Sequence, residues 1–429
     1  MERLMQYVWQ HRLWLQHNMA TVDGKRVNII DPGTLNTGSG PDFFNAKIII
    51  DGHLWAGDVE IHVKASDWHR HGHDGNPAYD SVILHVVDRD DTIIHRINGE
   101  PIPQMRMPCE PSLHQHYSQL VGRSDIALPC SGYIADISPL HLGSWIDSLA
   151  FERLYNKAEH IDQLRERFCG DWESTAYVTL ARSLGFGING DPFERLALSL
   201  PLIFIGKHAD SLTSIEALLF GQSGLIDSNM KVFGDYVERL RREYEFLAHK
   251  FGLRRPEGLL WKMARMRPAN FPHRRIATLA AMLAGGFRMM SRILEVASLD
   301  DAVNLFSPQL STYWDNHYNF GPGTGGKTSP LSRSSVAGLT INAVIPLQLA
   351  YALHHGHEDM TDRCINLLQS LPPERNTIVE MFVRAGIKAP DSFTTQALIQ
   401  LRRNYCEQHK CLFCRIGHRM LATKARRTN

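Results

Sequence analysis

Over residues 58–64 the chain alternates two kinds of side chain: Asp58, Glu60, His62 and Lys64 are ionisable, and Val59, Ile61 and Val63 between them are apolar. Side chains of an extended strand point alternately to its two faces, so the segment reads as a strand with one ionisable face and one core face. It follows an apolar run at 46–50 and the dipeptide Asp51-Gly52, a two-residue turn signal that folds both segments into a hairpin. The hairpin brings Asp42, just after Gly40-Pro41, toward Glu60. Two carboxylates so placed suit a hard divalent cation, Mg²⁺ or Mn²⁺. Such an ion polarises a phosphodiester and activates water. In that scheme His62 or Lys64 orients or deprotonates the water, and Asp58 assists. The competing reading is a solvent-facing strand with a polar outer side.

A second group lies just downstream. His71 and His73 sit in a polar loop after Ser66-Asp67-Trp68, and His85 lies on the next apolar run, 82–87. They are expected to border the acidic site, contacting phosphate or orienting its ligands. A third group is Cys406, Cys411 and Cys414 near the C-terminus. That spacing suits a structural Zn²⁺ site with His418 as fourth ligand, and His409 or Cys364 as alternatives. An iron–sulfur cluster would equally need a fourth ligand. Residues 321–328, GPGTGGKT, satisfy the phosphate-loop pattern. No apolar strand precedes them and Ser-Pro follows, so a Gly-rich surface loop is expected there, without nucleotide binding.

The elements that must carry these groups are legible in the periodicity. Apolar positions at Leu4, Met5, Val8, Trp9, Leu13 and Leu15 predict a helix near the N-terminus. Three strands, a polar loop and a further strand follow. From Ser138 helical spacing dominates to about residue 403. The expected class is α+β: an N-terminal restriction-endonuclease-like α/β domain over 1–125, an all-α region over 138–403, and a basic, Cys-rich segment over 404–429. Length, at 429 residues, calls for more than one core. Charge is nearly balanced at +1, but 241–275 and 401–429 each carry a local excess of about seven positive charges that could face phosphates. No uninterrupted apolar window reaches membrane-spanning length, and the N-terminus has no apolar signal core. Those features imply a cytoplasmic protein without a membrane partner.

Two resemblances sharpen this. Pro41-Asp42 followed by Glu60-Ile61-His62 resembles the PD-(D/E)XK phosphodiesterase pattern. It implies the order helix, three strands, helix, strand, with Asp42 and Glu60 on metal and nucleic acid as substrate. The third motif position, usually Lys, is His62 here, with Lys64 on the same face as a stand-in. That departure keeps open a non-catalytic module built on a degenerate nuclease fold. Longer phrases resemble the bacterial domain-of-unknown-function family numbered 2851. They include Gly40-Pro-Asp-Phe-Phe-Asn-Ala46, Gly57-Asp-Val-Glu-Ile-His-Val63, Phe220-Gly-Gln-Ser-Gly224, Tyr313-Trp-Asp315 and Cys411-Leu-Phe-Cys-Arg-Ile-Gly417. That resemblance supports the domain layout and implies no activity.

Overall fold

The structure, a computed structural model, describes every residue except 15–18, 37, 108–112, 116, 119–127, 227–233, 287 and 426–429. Leu15, expected on the first helix, therefore lies outside the described residues. Chain contacts divide the protein into two units. The first comprises Met1–Trp145, Met381–Ile387 and Leu401–Asn429; the second comprises Ile146–Glu380 and Lys388–Gln400. The C-terminal segment, set apart by sequence alone at 404–429, thus belongs with the N-terminal unit. The physical reason is burial: Leu412, Met420 and Leu421 share one core with Leu4, Trp9, Phe43 and Ile61.

The first unit is built on a mixed sheet. Its strands are β1 (Met19–Ala20), β2 (Arg26–Asp31), β3 (Thr34–Leu35), β4 (Phe43–Ile50), β5 (His53–Lys64), β6 (Val82–Arg89) and β7 (Gln104–Arg106). The order is β1-β2-β4-β5-β6-β7, with β3 also pairing β4. Pairings from β1 through β5 are antiparallel, whereas β5, β6 and β7 run parallel. The β4–β5 turn is Asp51-Gly52, and both residues have positive φ (51° and 84°), as a primed two-residue turn requires. Helix α1 (Glu2–Gln10) lays Leu4, Met5, Val8 and Trp9 onto Phe43, Ile48, Val59 and Ile61 of the sheet. The short helix α2 (Asp67–Arg70) and the loop to β6 make the return that lets β6 lie parallel to β5.

The second unit is all helical. The 29-residue helix α3 (Pro139–Arg167) begins in the first unit and continues into it. Within it, α4 (Trp172–Leu184), α5 (Leu212–Gln222), α6 (Gly234–Phe251) and α7 (Pro272–Leu283) bury most of their apolar residues. Two phrases read as family signatures meet in this core. Phe220 stacks on Trp314 with ring centroids 5.6 Å apart, and Gln222 accepts from the Tyr244 hydroxyl at 3.0 Å. Gly221 must be glycine, because a Cβ there would overlap the Tyr244 ring. The stretch Arg333–His355 is long and apolar enough to cross a membrane by length and composition, but 78% of its apolar window is buried inside the protein. Polar residues such as Asn342 and Gln348 interrupt the span, so it is not an uninterrupted apolar window.

Residues 321–328 fold back on the turn before them. The Thr324 and Thr328 amides donate to the Asn316 and Asp315 carbonyls at 2.7 and 2.8 Å. A helix begins only at Arg333, so these amides do not open a helix N-terminus that could cradle phosphate.

Candidate metal centre

The site begins where β4 ends and β5 continues. The last β4–β5 pair is Phe43 with Val59, so beyond it β5 has no strand partner on that edge. Asp42 fills the gap: its Oδ2 accepts the Ile61 amide at 3.0 Å, and its own amide donates to Glu60 Oε2 at 2.9 Å. This reciprocal clamp satisfies backbone groups that the sheet leaves over. Gln6 of α1 closes the arrangement by donating to Asp42 Oδ1 at 2.9 Å.

Glu60 presents its other oxygen, Oε1, to imidazoles. His62 Nε2 lies 3.4 Å away and His73 Nε2 lies 3.2 Å away. The second contact is close in distance but not aligned as a hydrogen bond, and His73 Nε2 is otherwise buried without a partner. His71 Nδ1 sits 3.1 Å from His62 Nε2. One ligand atom from each of His62, His71 and His73 falls within 4.8 Å of the other two. Behind them, His85 on β6 places Nε2 2.9 Å from His62 Nδ1. If His62 carries its proton on Nδ1 and donates to His85, its Nε2 lone pair faces the group, the orientation a metal ligand needs. The loop histidines are held by packing: His73 stacks on Tyr79 at 3.9 Å and meets Trp68 edge-on at 5.3 Å.

Electrostatics agree with this geometry. Burial, then the neighbouring His85, His73 and His71, push the His62 pKa down to about 2. Burial and His73 push His85 down to about 3. Both rings are therefore neutral at physiological pH, as metal-ligating imidazoles must be. Burial and the Glu60 charge raise Asp42 to about 7, against the lowering effect of Gln6 and the Ile61 amide. Glu2, in the first turn of α1, is also raised by burial and by Glu60 and Asp67, against the lowering effect of His71. Carboxylates gathered here repel one another, and a cation would reverse that.

The structure thus brings together Asp42, Glu60, His62, His71, His73 and His85. Asp58 and Lys64 stand apart. Asp58 accepts from the Asn45 amide at 3.1 Å and from the Ser81 hydroxyl at 2.6 Å. It therefore pins the bulge at Asn45, whose φ is +57°, and the start of β6. Lys64 is exposed, and its charge acts on Asp91. Glu2 and Gln6 were not singled out by sequence, although both lie one turn apart beside the buried stripe of α1. With three imidazoles and one carboxylate, the donor set suits Zn²⁺, Mn²⁺ or Fe²⁺ better than Mg²⁺, which favours oxygen alone.

At the C-terminal end, His418 Nδ1 lies 2.6 Å from the Tyr7 hydroxyl, and its ring is edge-on to His11. Cys364 is buried in the second unit, with Gln348 Oε1 3.8 Å from its sulfur. Among the described residues neither joins a group of three potential metal ligands.

No curated protein and no solved structure matches the chain. A family model described as "Protein of unknown function (DUF2851)" matches residues 2–377. With nearly the whole chain covered, the protein belongs to the DUF2851 family.

Proposed function

We propose that the protein is a divalent-metal-dependent phosphodiesterase acting on nucleic acid. The observation that carries this reading is the convergence of His62, His71 and His73 on the Glu60 carboxylate, with Asp42 clamped beside it. The order helix, strands, short helix and parallel strand supports the reading, with five strands before the short helix where the resemblance implies three. The imidazoles and Glu60 would hold the metal, which would supply a polarised phosphoryl oxygen and an acidified water. Asp42, clamped beside Glu60, is the group positioned to take or return a proton. His85 fixes the tautomer of His62. Exposed basic residues of the same unit, Arg403, Lys410, Arg415 and Arg419, offer a surface for phosphates. The unpaired state of the described cysteines is consistent with a reducing, cytoplasmic setting.

The test is cleavage of single- and double-stranded DNA and RNA in Mn²⁺, Zn²⁺ or Mg²⁺. Turnover lost in Glu60→Gln and His73→Ala would support the proposal. Absence of cleavage with every metal and substrate would remove it. Two observations favour a second reading, a binding module on a degenerate nuclease fold: Lys64 faces Asp91, and both Asp42 oxygens are already hydrogen-bonded within the protein. A module of that kind would bind nucleic acid with the same affinity in chelator as in Mn²⁺, and Glu60→Gln would leave binding unchanged.

A further inference from the structure

We infer that Cys130, Cys406, Cys411 and Cys414 form a four-thiolate centre for a thiophilic metal, separate from the histidine site and serving to fasten the C-terminal segment to the N-terminal unit. All four belong to that unit. Cys130 and Cys411 pack against the same apolar core. Cys406 ends the helical turn Leu401–Cys406, and the chain then reverses at His409, whose amide donates to the Cys406 carbonyl at 3.2 Å and whose φ is +52°. The single turn Cys411–Phe413 brings Cys414 back under Cys411, with the Cys414 amide 3.3 Å from the Cys411 carbonyl. Gly417 then passes so close to that carbonyl that a Cβ would overlap it.

Burial raises the Cys414 pKa, against the lowering effect of the donors around its sulfur. Its sulfur is buried, and the backbone amides of Ile416 and Gly417 point at it. The Trp145 indole N–H, buried without a hydrogen-bond partner, lies near the same sulfur. Donors directed at a sulfur stabilise negative charge there more than they stabilise a neutral thiol, whose sulfur is a weak acceptor. Proximity of the four sulfurs also registers electrostatically. Cys414 and Cys411 raise Cys130, which burial alone already lifts, to about 12; burial and Cys414 raise Cys411 to about 11; and Cys130, Cys414 and Cys411 add to burial in raising Cys406. Each of the six pairs among these four cysteines is close enough to interact, the proximity that a shared thiophilic cation requires.

Among the described residues no three of these sulfurs lie within 4.8 Å of one another. Sulfurs around a single zinc ion, with bonds of about 2.3 Å, sit about 3.8 Å apart. An iron–sulfur cluster is also held by four cysteine thiolates, so the two occupants are told apart by the metal and sulfide content. The consequence of either occupant is the same. Past Cys414 the chain enters helix α8 (Arg415–Ala425), whose His418 meets Tyr7 on α1, the helix that also carries Glu2 and Gln6.

The experiment uses the full chain, purified without oxygen or chelator. Elemental analysis, acid-labile sulfide and the ultraviolet–visible spectrum are read for wild type, His73→Ala, Cys130→Ser and Cys364→Ser. Wild type, His73→Ala and Cys364→Ser are expected to show a thiolate-to-metal absorption band, with zinc or with iron plus sulfide. Zinc alone identifies a single ion, and iron with sulfide a cluster. Cys130→Ser should lose the band and at least half of that metal. Because a Ser variant can misfold, wild-type protein is also alkylated with and without a strong chelator. Cys130, Cys406, Cys411 and Cys414 should be protected together and exposed together. No band in wild type, an undiminished band in Cys130→Ser, or Cys130 reacting independently of the other three would each overturn the inference. None of these outcomes depends on phosphodiesterase activity, and loss of the histidine site in His73→Ala leaves them unchanged.

Discussion

Replacing the Asp42 carboxylate by a carboxamide isolates the electrostatic strain of the site. In the folded protein burial and Glu60 carry the Asp42 pKa from 3.8 to about 7. A carboxyl whose pKa is raised by folding favours the fold while protonated: that contribution is whole below about pH 3.8 and is lost as pH rises through about 7. With about 1.4 kcal/mol per pH unit, the loss is on the order of 4 kcal/mol above pH 7. In Asp42→Asn the introduced amide would keep the Ile61 hydrogen bond through its carbonyl and could pair with Gln6 after an amide flip, while removing the charge. Metal-free Asp42→Asn should therefore be more stable than wild type at pH 8 by a few kcal/mol, and equal to it near pH 4. For a unit of this size that is a rise in melting temperature of roughly 10 °C at pH 8. Urea and thermal unfolding in chelator, from pH 4 to 8, measure it. A variant less stable than wild type at pH 8, or a difference independent of pH, would refute the reasoning.

Three further outcomes are expected. His71→Ala and His73→Ala should each weaken Zn²⁺ or Mn²⁺ binding by about 10-fold or more in calorimetric titration while leaving the fold intact, because both residues sit in a surface loop. Gly221→Ala should destabilise the helical unit by about 1–3 kcal/mol in chemical denaturation, since the added methyl meets the Tyr244 ring in a closed core. Wild type should show no saturable ATP binding by equilibrium dialysis, and Lys327→Ala should be indistinguishable from it, because the Thr324 and Thr328 amides are spent on the preceding turn and the next helix begins only at Arg333.

How far the sequence reached depended on whether the information was local. The β4–β5 hairpin was readable because Asp51-Gly52 dictates its turn and the two-residue alternation dictates its faces. The approach of Asp42 to Glu60 followed from that register. The alternation also placed Asp58 and Lys64 on the ionisable face, but a bulge between Asp58 and Val59 in the pairing with β6 breaks the pattern, and Asp58 turns to Asn45 and Ser81. Lys64 lies exposed at the end of β5, where its charge acts on Asp91. His71 and His73 were expected at the border of an oxygen-liganded ion. Their convergence with His62 depends on a return loop whose path is set by Trp68 and Tyr79, which no spacing rule conveys. Glu2 and Gln6 had a usable signal, two polar residues one turn apart at the edge of an amphipathic helix. Cys130 had none: it lies far upstream of the other three cysteines, and it shares a core with Cys411 only in the folded chain.

The central claim is that His62, His71, His73 and Glu60 bind one divalent ion. Anomalous scattering from crystals soaked separately in Mn²⁺ and Zn²⁺ tests it most directly. The expected result is a single peak about 2.0–2.3 Å from one nitrogen of each histidine and from Glu60 Oε1, present with either metal and absent in His73→Ala. A peak held by Asp42 and Glu60 without the imidazoles, or no peak at this site with either metal, would contradict it.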